Sequence, residues 1–408
     1  MNHKLSIIIP CYNCSETLEE ALSSVFTQKL TIPFEVIMVD DGSSDQTAVI
    51  MRSLAKKYSE AKCIFHDQNR GGGAARNTGI RASTGDLIFC LDSDNFFPPE
   101  TLQKMIDFLN TKKLEGSVIH ERRYFFGRRS KKYQSHFNPA RPIILADMFN
   151  KSQALLDNFL YTRAAYDKAG GYPEHHGFDT QCFELRFLGN KLRAEVCPGS
   201  VFYHRLATKN KSYFERVYEN GDFSKNIYLI MEDIMPLLSR RTIKTILEFD
   251  IFKKNTINHE DLKSCLENLY EKNPARFFSD NIEISDPNQA FSSFIVRAAD
   301  NNCPEDLFVG SIGHYRHQDY SLSLSLLSKM AAQKLDTPIL YFNVIRNIIG
   351  LTEKCPRVEI EKNAQTVIAS LVPIKHKSSI GYRQITGLLK VSGLGRLLKR
   401  ILTRNDHR

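Results

Sequence analysis

At residues 85–94 the chain reads Gly85-Asp86-Leu87-Ile88-Phe89-Cys90-Leu91-Asp92-Ser93-Asp94. The five apolar residues from Leu87 to Leu91 have the length and character of a strand that is buried on both faces of a sheet. Asp92 and Asp94 follow this strand directly. Side chains at positions i and i+2 of an extended chain point the same way, so both carboxylates can face one point in space.

Two converging carboxylates repel each other unless a cation lies between them. A hard divalent ion such as Mg2+ or Mn2+ suits a site made of oxygen atoms and also binds phosphate oxygens. An isolated Asp-x-Asp is more often only a polar turn at the end of a strand. The pattern gains meaning from the other motifs of the N-terminal half.

The preceding residues alternate between predicted strands and helices. Aliphatic runs predict a strand at 5–9, which Pro10 would end, a second strand at 34–39, and a short third strand at 63–65. A helical pattern follows each of them. This alternation predicts an α/β fold with a parallel sheet. Ligands of such sheets bind beyond the carboxyl ends of the strands.

Polar side chains follow three of these strand ends. Tyr12 follows the first strand, Asp40 and Asp41 follow the second, and the Asp92/Asp94 pair follows the strand at 87–91. Carboxylates near a nucleotide can accept hydrogen bonds from base N–H groups or ribose hydroxyls, as well as hold a metal ion. No structural purpose for this concentration of acids is evident, so the sequence favours a ligand site at this edge.

A triple glycine at 71–73 invites two further interpretations, and neither fits. A phosphate-binding P-loop requires Gly-Lys-Ser/Thr, which Arg76-Asn77 does not supply. A dinucleotide fingerprint should follow the first strand rather than the third. We interpret the glycines as a flexible loop before a helix, with Arg76 near the helix start and able to face a diphosphate.

Four segments together resemble the family 2 glycosyltransferases, in both order and spacing. The resemblance covers about residues 4–206. It implies an A-type nucleotide-sugar fold, described as Rossmann-like with a mixed sheet. The segments are Ile9-Pro10-Cys11-Tyr12-Asn13, Val39-Asp40-Asp41-Gly42-Ser43-Ser44-Asp45, Ala75-Arg76-Asn77-Thr78-Gly79 and Leu91-Asp92-Ser93-Asp94.

The resemblance also implies roles for individual residues in binding a nucleotide-sugar donor. Pro10 and Tyr12 would lie at the donor, with Tyr12 against the nucleobase, and Asp41 would contact the base or the ribose. Asp92 would face the sugar or ribose. Asp94 would be the main ligand of Mn2+ or Mg2+, with Asp92 beside it.

The candidate general base is Asp179, at the start of a predicted helix. Transfer to an acceptor hydroxyl requires one carboxylate to remove its proton, and the family usually has Glu-Asp at this point. Phe178 here replaces the Glu, and Asn95 replaces an acid that often follows the second Asp of the Asp-x-Asp. Asp179 could instead act only as a helix N-cap. We favour the base.

His204 is the third candidate metal ligand. It is the last residue of the second of two short predicted strands, at 194–197 and 200–204. In related enzymes a histidine at this point approaches the metal or the diphosphate. The alternative is an ordinary half-buried histidine.

Helical patterns dominate after about residue 209, including predicted helices at 261–270, 288–300, 320–334, 338–349 and 359–371. We predict three parts: a glycosyltransferase domain at 1–208, a helical domain at 209–374 and a basic tail at 375–408. The tail has nine basic residues against one acidic residue, whereas the net charge of the whole chain is +9. Residues 388–404 form a basic amphipathic helix on a helical wheel, which predicts contact with an anionic membrane surface. A helix packed on its own domain fits the pattern equally well.

Composition limits the other classes of function. The nearly neutral body does not indicate a surface that binds nucleic acid. Nine scattered cysteines do not form a disulfide framework. No segment has the roughly 20 consecutive apolar residues that a spanning helix needs. We therefore expect a cytoplasmic protein that can associate with the inner face of the membrane.

The resemblance to family 2 glycosyltransferases, together with the motifs that carry it, implies a metal-dependent inverting glycosyltransferase of surface polysaccharide synthesis. Its donor would be a nucleotide sugar, UDP-linked by preference, and its acceptor a glycan or a lipid-linked glycan. A nucleotidyltransferase is one rival, but the chain lacks a lysine-bearing glycine loop near the first strand. A non-catalytic subunit that binds nucleotide sugar or glycan is the other, favoured by the missing Glu before Asp179.

Overall fold

The computed structural model describes residues 4–126, 134–143, 159–174, 179–206, 232, 235–248, 252–253, 256–257, 287–333, 343 and 347. The chain divides into two compact units, one of residues 1–234 with 284–286 and one of residues 235–283 with 287–408. The predicted boundary near residue 208 and the basic tail at 375–408 lie outside the described residues, so both stay predictions.

Among the described residues of the first unit, nine strands form one central sheet. Its strands are β1 (Leu5–Cys11), β2 (Phe34–Asp40), β3 (Ala61–Phe65), β4 (Leu87–Cys90), β5 (Gly116–Phe126), β6 (Gln134–Phe137), β7 (Pro142–Ile143), β8 (Leu160–Thr162) and β9 (Ala194–Leu206). The helices are α1 (Leu18–Phe26), α2 (Thr47–Lys57), α3 (Gly72–Ala82), α4 (Thr101–Lys112), α5 (Arg163–Ala169) and α6 (Asp179–Gly189).

The strand order is β3-β2-β1-β4-β8-β5-β9-β7, with β6 paired to β5. Strands β1 to β4 pair in parallel. Strand β8 runs antiparallel to both of its neighbours, β4 and β5, whereas β5 and β9 are parallel. The sheet is therefore mixed, as predicted.

Both faces of the central strands are buried, because successive side chains of a strand point to opposite faces. Ile7 and Ile9 belong to a core that also holds apolar residues of α1, α2 and α4. Helix α3 packs on β1 and β2 through Gly79, where a Cβ atom would lie 2.5 Å from Ile8 Cγ2. The apolar runs of the sequence thus become the middle layer of a three-layer unit.

Two details of the predicted strands are corrected. Strand β1 continues through Pro10 to Cys11, because pairing with β4 ends at Ile8 and Pro10 pairs only with β2. The two short strands predicted at 194–197 and 200–204 form one strand, β9. A register shift opposite residues 119–121 and the left-handed Gly199 (φ 71°) accommodate the irregularity between them.

The second unit contains the helices α7 (Arg240–Glu248), α8 (Pro287–Asp300), α9 (Pro304–Arg316) and α10 (Tyr320–Ala332), and a two-stranded ribbon of β10 (Phe252–Lys253) and β11 (Thr256–Ile257). Helices α8 and α10 correspond to predicted helices at 288–300 and 320–334. The predicted helices at 261–270, 338–349 and 359–371 lie outside the described residues, except for the helical residues 343 and 347. Throughout the described part of the chain, every helix is too short or too polar to span a membrane.

Candidate active site

The loops after β1 and β2 meet at the carboxyl edge of the sheet. The backbone N–H of Asp41 donates to the carbonyl of Cys11 at 2.8 Å. The side-chain oxygen of Asn13 accepts from the backbone N–H of Ser44 at 2.9 Å. Tyr12 lies between these contacts and is 52% exposed. An exposed aromatic ring beside buried acids is a surface on which a planar base can stack.

Asp41 is buried, and its carboxylate accepts three N–H bonds. Oδ1 accepts from His66 Nδ1 at 2.7 Å and from the backbone N–H of Arg70 at 2.9 Å. Oδ2 accepts from the backbone N–H of Gly71 at 2.8 Å. The carboxylate therefore holds the start of the glycine segment, where Gly71 has a φ of 93° that favours glycine.

Arg76 joins two of the predicted site residues. Its guanidinium donates to Asp92 Oδ1 at 2.6 Å and to Asp179 Oδ2 at 2.5 Å. The side chains of Arg76 and Asp179 are 10% and 9% exposed. Burial would lower the pKa of Arg76, but the charges of Asp179 and Asp92 outweigh burial and raise that pKa well above its ordinary value. Arg76 and Asp179 are buried and Asp92 is partly buried, with its side chain 32% exposed, so the cluster combines one positive and two negative groups at the edge of the protein interior.

The triple glycine explains how Asp179 reaches Arg76. A Cβ atom at Gly73 would lie 2.0 Å from the carbonyl oxygen of Pro173 and 3.0 Å from Asp179 Cβ. A Cβ atom at Gly72 would lie 2.7 Å from Arg76 Nη1. Gly72 and Gly73 are the first residues of α3, so they allow a close approach between helices rather than forming only a loop.

Asp94 lies beside Asp92 and is exposed. Neighbouring atoms nevertheless crowd its carboxyl group, and this desolvation, together with the negative charge of Asp92, raises the pKa of Asp94 to about 7. The guanidinium of Arg205 opposes the shift. A carboxyl group crowded by another carboxylate is one that a divalent cation would stabilise in its ionised form.

Asn95, the departure from the family pattern, is buried and connects this loop to β9. Its Oδ1 accepts from the backbone N–H of Arg205 at 2.9 Å. Its Nδ2 lies 3.3 Å from Asp92 Oδ2 and 3.4 Å from His204 Nδ1. An acid at this position would repel Asp92, whereas the amide links Asp92 to His204. The structure therefore brings His204 close to the Asp-x-Asp loop.

Asp179 begins α6, and an aromatic and amide network fixes the segment before it. Asn77 Oδ1 accepts from the Tyr172 backbone N–H at 3.0 Å and from the Tyr166 hydroxyl at 2.8 Å. Asn77 Nδ2 donates to the Tyr172 carbonyl at 2.8 Å. The Tyr172 ring stacks on Phe183 of α6, with centroids 4.3 Å apart. These contacts attach the segment that carries Pro173 to α3.

The structure thus brings Asp92, Asp94, Arg76, Asp179 and His204 into one connected region. Asp41 and Tyr12 lie at the neighbouring loops, and Pro10 lies in β1 beneath them. Sequence reasoning missed His66, Asn77, Asn95 and Arg205 as contributors. Of these four, Asn77 could have been found from the sequence, because it directly follows Arg76 in one of the quoted motifs and carries a polar amide.

A divalent cation would have few protein ligands here. Among the residues that the structure describes, no three His, Cys, Asp or Glu side chains form a cluster that could hold a metal ion. Asp94, with its crowded carboxyl group, instead fits a metal site that the protein only partly supplies. In such a site one or two carboxylates share the ion with phosphate oxygens of the substrate.

Residues 6–175 match the family described as glycosyl transferase family 2, and this part of the chain belongs to that family. An uncharacterized glycosyltransferase of Haemophilus influenzae is 36% identical over 105 residues, which are 26% of this chain and 42% of that protein. The poly(ribitol-phosphate) beta-glucosyltransferase of Bacillus spizizenii is 38% identical over 109 residues, 26% of this chain and 17% of that protein.

A third match is longer than these two. The uncharacterized glycosyltransferase YwdF of Bacillus subtilis is 28% identical over 270 residues, which are 60% of this chain and 96% of that protein. The other two matches span less than half of their relatives. The family and the mixed sheet agree with the A-type fold that the sequence predicts.

Proposed function

We propose that the chain is an inverting glycosyltransferase that moves a sugar from a nucleotide-sugar donor, UDP-linked by preference, to a glycan or lipid-linked acceptor. The observation that carries the proposal is the cluster of Asp92, Arg76 and Asp179. It connects a candidate donor residue to a candidate base within a domain of the glycosyltransferase family.

In this proposal Asp179 removes the proton of the acceptor hydroxyl as that oxygen forms its bond to the anomeric carbon. The bond from this carbon to the diphosphate oxygen breaks on the opposite face, and the nucleoside diphosphate leaves with the bonding electrons. Displacement from the opposite face inverts the anomeric centre. The guanidinium of Arg76, 2.5 Å from Asp179 Oδ2, would hold this carboxylate in place for the step.

Asp94 would be the main residue to hold Mn2+ or Mg2+, with Asp92 beside it and His204 as a further candidate. When bound, such an ion stabilises negative charge on the leaving diphosphate. The pKa of Asp94 near 7 supports this role, because desolvation and Asp92 raise that pKa in the absence of a cation. Tyr12 and Asp41 would bind the nucleobase and ribose.

The acceptor is proposed from the named relative. The Bacillus spizizenii protein is named for glucosyl transfer to poly(ribitol-phosphate). This name supports a surface polymer as the acceptor of the present chain, in synthesis of the cell envelope. A membrane-associated location would suit a lipid-linked acceptor.

The test is release of nucleoside diphosphate from a panel of UDP-, GDP-, CDP- and TDP-sugars, with Mn2+ or Mg2+ and with EDTA. We expect metal-dependent release from one donor, stimulated by the matching acceptor. Donor binding without release or transfer, even when candidate acceptors are present, would favour the non-catalytic binding subunit. Release that EDTA does not affect would remove the metal from the proposal.

We also propose that residues 388–404 bind an anionic membrane surface, on the basis of their basic amphipathic pattern. The comparison is flotation of the full chain and of a chain that lacks residues 388–408, with vesicles of anionic lipid. Loss of binding on deletion is expected. Equal binding by both chains would contradict the proposal.

A further inference from the structure

His66 lies at the edge of the nucleotide site, directly after β3. Its backbone N–H continues the strand pairing by donating to the carbonyl of Asp40 at 2.8 Å. Its side chain is only 6% exposed. The ring therefore has a fixed place beneath the acidic loop, although neither the family pattern nor the proposed chemistry uses it.

Both ring nitrogens of His66 have partners. Nδ1 lies 2.7 Å from Asp41 Oδ1, and Nε2 lies 3.0 Å from the hydroxyl of Thr78 on α3. Thr78 in turn accepts from Arg81 Nη2 at 3.3 Å. An ionised carboxylate can only accept, so the hydrogen lies on Nδ1, and Thr78 donates its single hydrogen to Nε2. With this single direction of donation, from Arg81 through Thr78 and His66 to Asp41, every donor in the series has an acceptor.

This chain of hydrogen bonds leaves Asp41 with little freedom. An ionised carboxylate has about four acceptor positions, and the protein fills three: two on Oδ1, from His66 and Arg70, and one on Oδ2, from Gly71. The remaining position is on Oδ2. Only an N–H or O–H donor can fill it.

We propose that His66 is a positioning residue that holds Asp41 in the orientation that selects a nucleobase with a ring N–H. This inference rests on the proposed function. Uracil has such an N–H at its imide, whereas the corresponding ring nitrogen of cytosine is an acceptor and would face the lone pair of Asp41. His66 would thus set the preference for uridine over cytidine without touching the ligand.

The test compares the dissociation constants of UDP and CDP, measured by calorimetry with the full chain in excess Mg2+. The wild type should bind UDP more tightly than CDP. His66→Ala should weaken UDP binding by roughly tenfold, the usual effect of losing one hydrogen bond to a charged group, and should change CDP binding much less. The ratio of the CDP dissociation constant to the UDP dissociation constant would then fall towards one.

His66→Asn is the rescue variant, since its amide nitrogen can take the place of Nδ1 and donate to Asp41. It should recover most of the lost ratio. Asp67→Asn, at the exposed neighbouring position, is the matched control and should leave both constants unchanged. Thermal melting of each variant separates an effect on Asp41 from general unfolding. If His66→Ala does not fold, Thr78→Val tests the same chain of hydrogen bonds and should also lower the ratio.

Two results would overturn the inference. In one, the wild type prefers UDP, and folded His66→Ala has the same ratio of CDP to UDP dissociation constants as the wild type. Where Thr78→Val stands in for an unfolded His66→Ala, the same ratio in Thr78→Val has this meaning. In the other, His66→Asn is as impaired as His66→Ala. These outcomes leave the proposed function intact. A wild type that binds neither nucleotide would instead contradict the proposed function, and this inference with it.

Discussion

Asp179 Oδ2 lies 2.5 Å from the guanidinium of Arg76, although 103 residues separate the two along the chain. Arg76 also binds Asp92, so one cation connects the candidate donor side to the candidate base. The close approach depends on Gly72 and Gly73 at the start of α3. The consequences for stability and activity can be measured separately.

Replacing Arg76 by Ala should strongly destabilise the first unit. The change leaves Asp179, which is 9% exposed on its side chain, as a buried charge without its cation. Breaking a buried ion pair from one side costs on the order of 3 kcal/mol. Urea unfolding followed by circular dichroism measures this difference.

Arg81→Ala is the matched control for Arg76→Ala. Arg81 lies on the same helix, but its side chain is 58% exposed and its ion pair with Glu174 spans 3.6 Å. An exposed pair contributes at most about 1 kcal/mol. Equal losses in the two variants would mean that the buried cluster has no special role in stability.

Gly73→Ala should both destabilise the fold and disturb the site. The new methyl group would lie 2.0 Å from the carbonyl oxygen of Pro173, which belongs to the backbone and cannot rotate away. Overpacking of this kind costs about 1–3 kcal/mol. Melting temperature and nucleoside diphosphate release report the two effects. Ala82→Ser, at an exposed position of the same helix, should change neither, and a Gly73→Ala variant that behaves like it would contradict the packing described.

Glu35 should make stability depend on pH at the other edge of the sheet. Burial alone would raise the pKa of Glu35, but hydrogen bonds from Thr84, Lys4 and Ser6 outweigh burial and lower this pKa to about 2. The folded state then favours ionised Glu35. Its stabilisation is complete above the ordinary pKa of about 4.5 and is lost as pH falls from there towards 2.

Glu35→Gln measures that contribution. The difference in unfolding free energy between the wild type and this variant should be largest near neutral pH and should shrink as the pH falls below about 4.5. Glu60→Gln, at an exposed position, should follow the wild type at every pH. A difference for Glu35→Gln that grows on acidification would have the wrong sign for a lowered pKa.

The sequence predicted the central strands because their apolar runs are long and uninterrupted, as at β1 and β4. It also predicted that acids would gather at the carboxyl ends of those strands, since parallel strands share that edge. It did not predict how β8 enters the sheet, because three residues, Leu160–Thr162, are too short to carry a period. It treated 194–197 and 200–204 as separate strands, because Gly199 interrupts the pattern.

The contacts within the site were harder to predict than its members. Asn77 bonds to the backbone of Tyr172, 95 residues away, and Asp41 bonds to His66, 25 residues away. No local period encodes such pairs, and they follow only once the sheet brings the loops together. The role of Gly72 and Gly73 is similar, because the atoms that exclude a side chain there belong to Pro173, Arg76 and Asp179.

The central claim is that Asp179 acts as the base, and the direct measurement is the rate of sugar transfer by wild type and Asp179→Asn with the donor found in the panel. Asparagine keeps the size of the side chain but cannot accept the proton, so transfer should fall by about 10²- to 10⁴-fold while UDP binding changes little. Asp167→Asn, exposed on α5, serves as the control and should retain the wild-type rate. If Asp179→Asn, like this control, transfers sugar at nearly the wild-type rate, Asp179 is not the base.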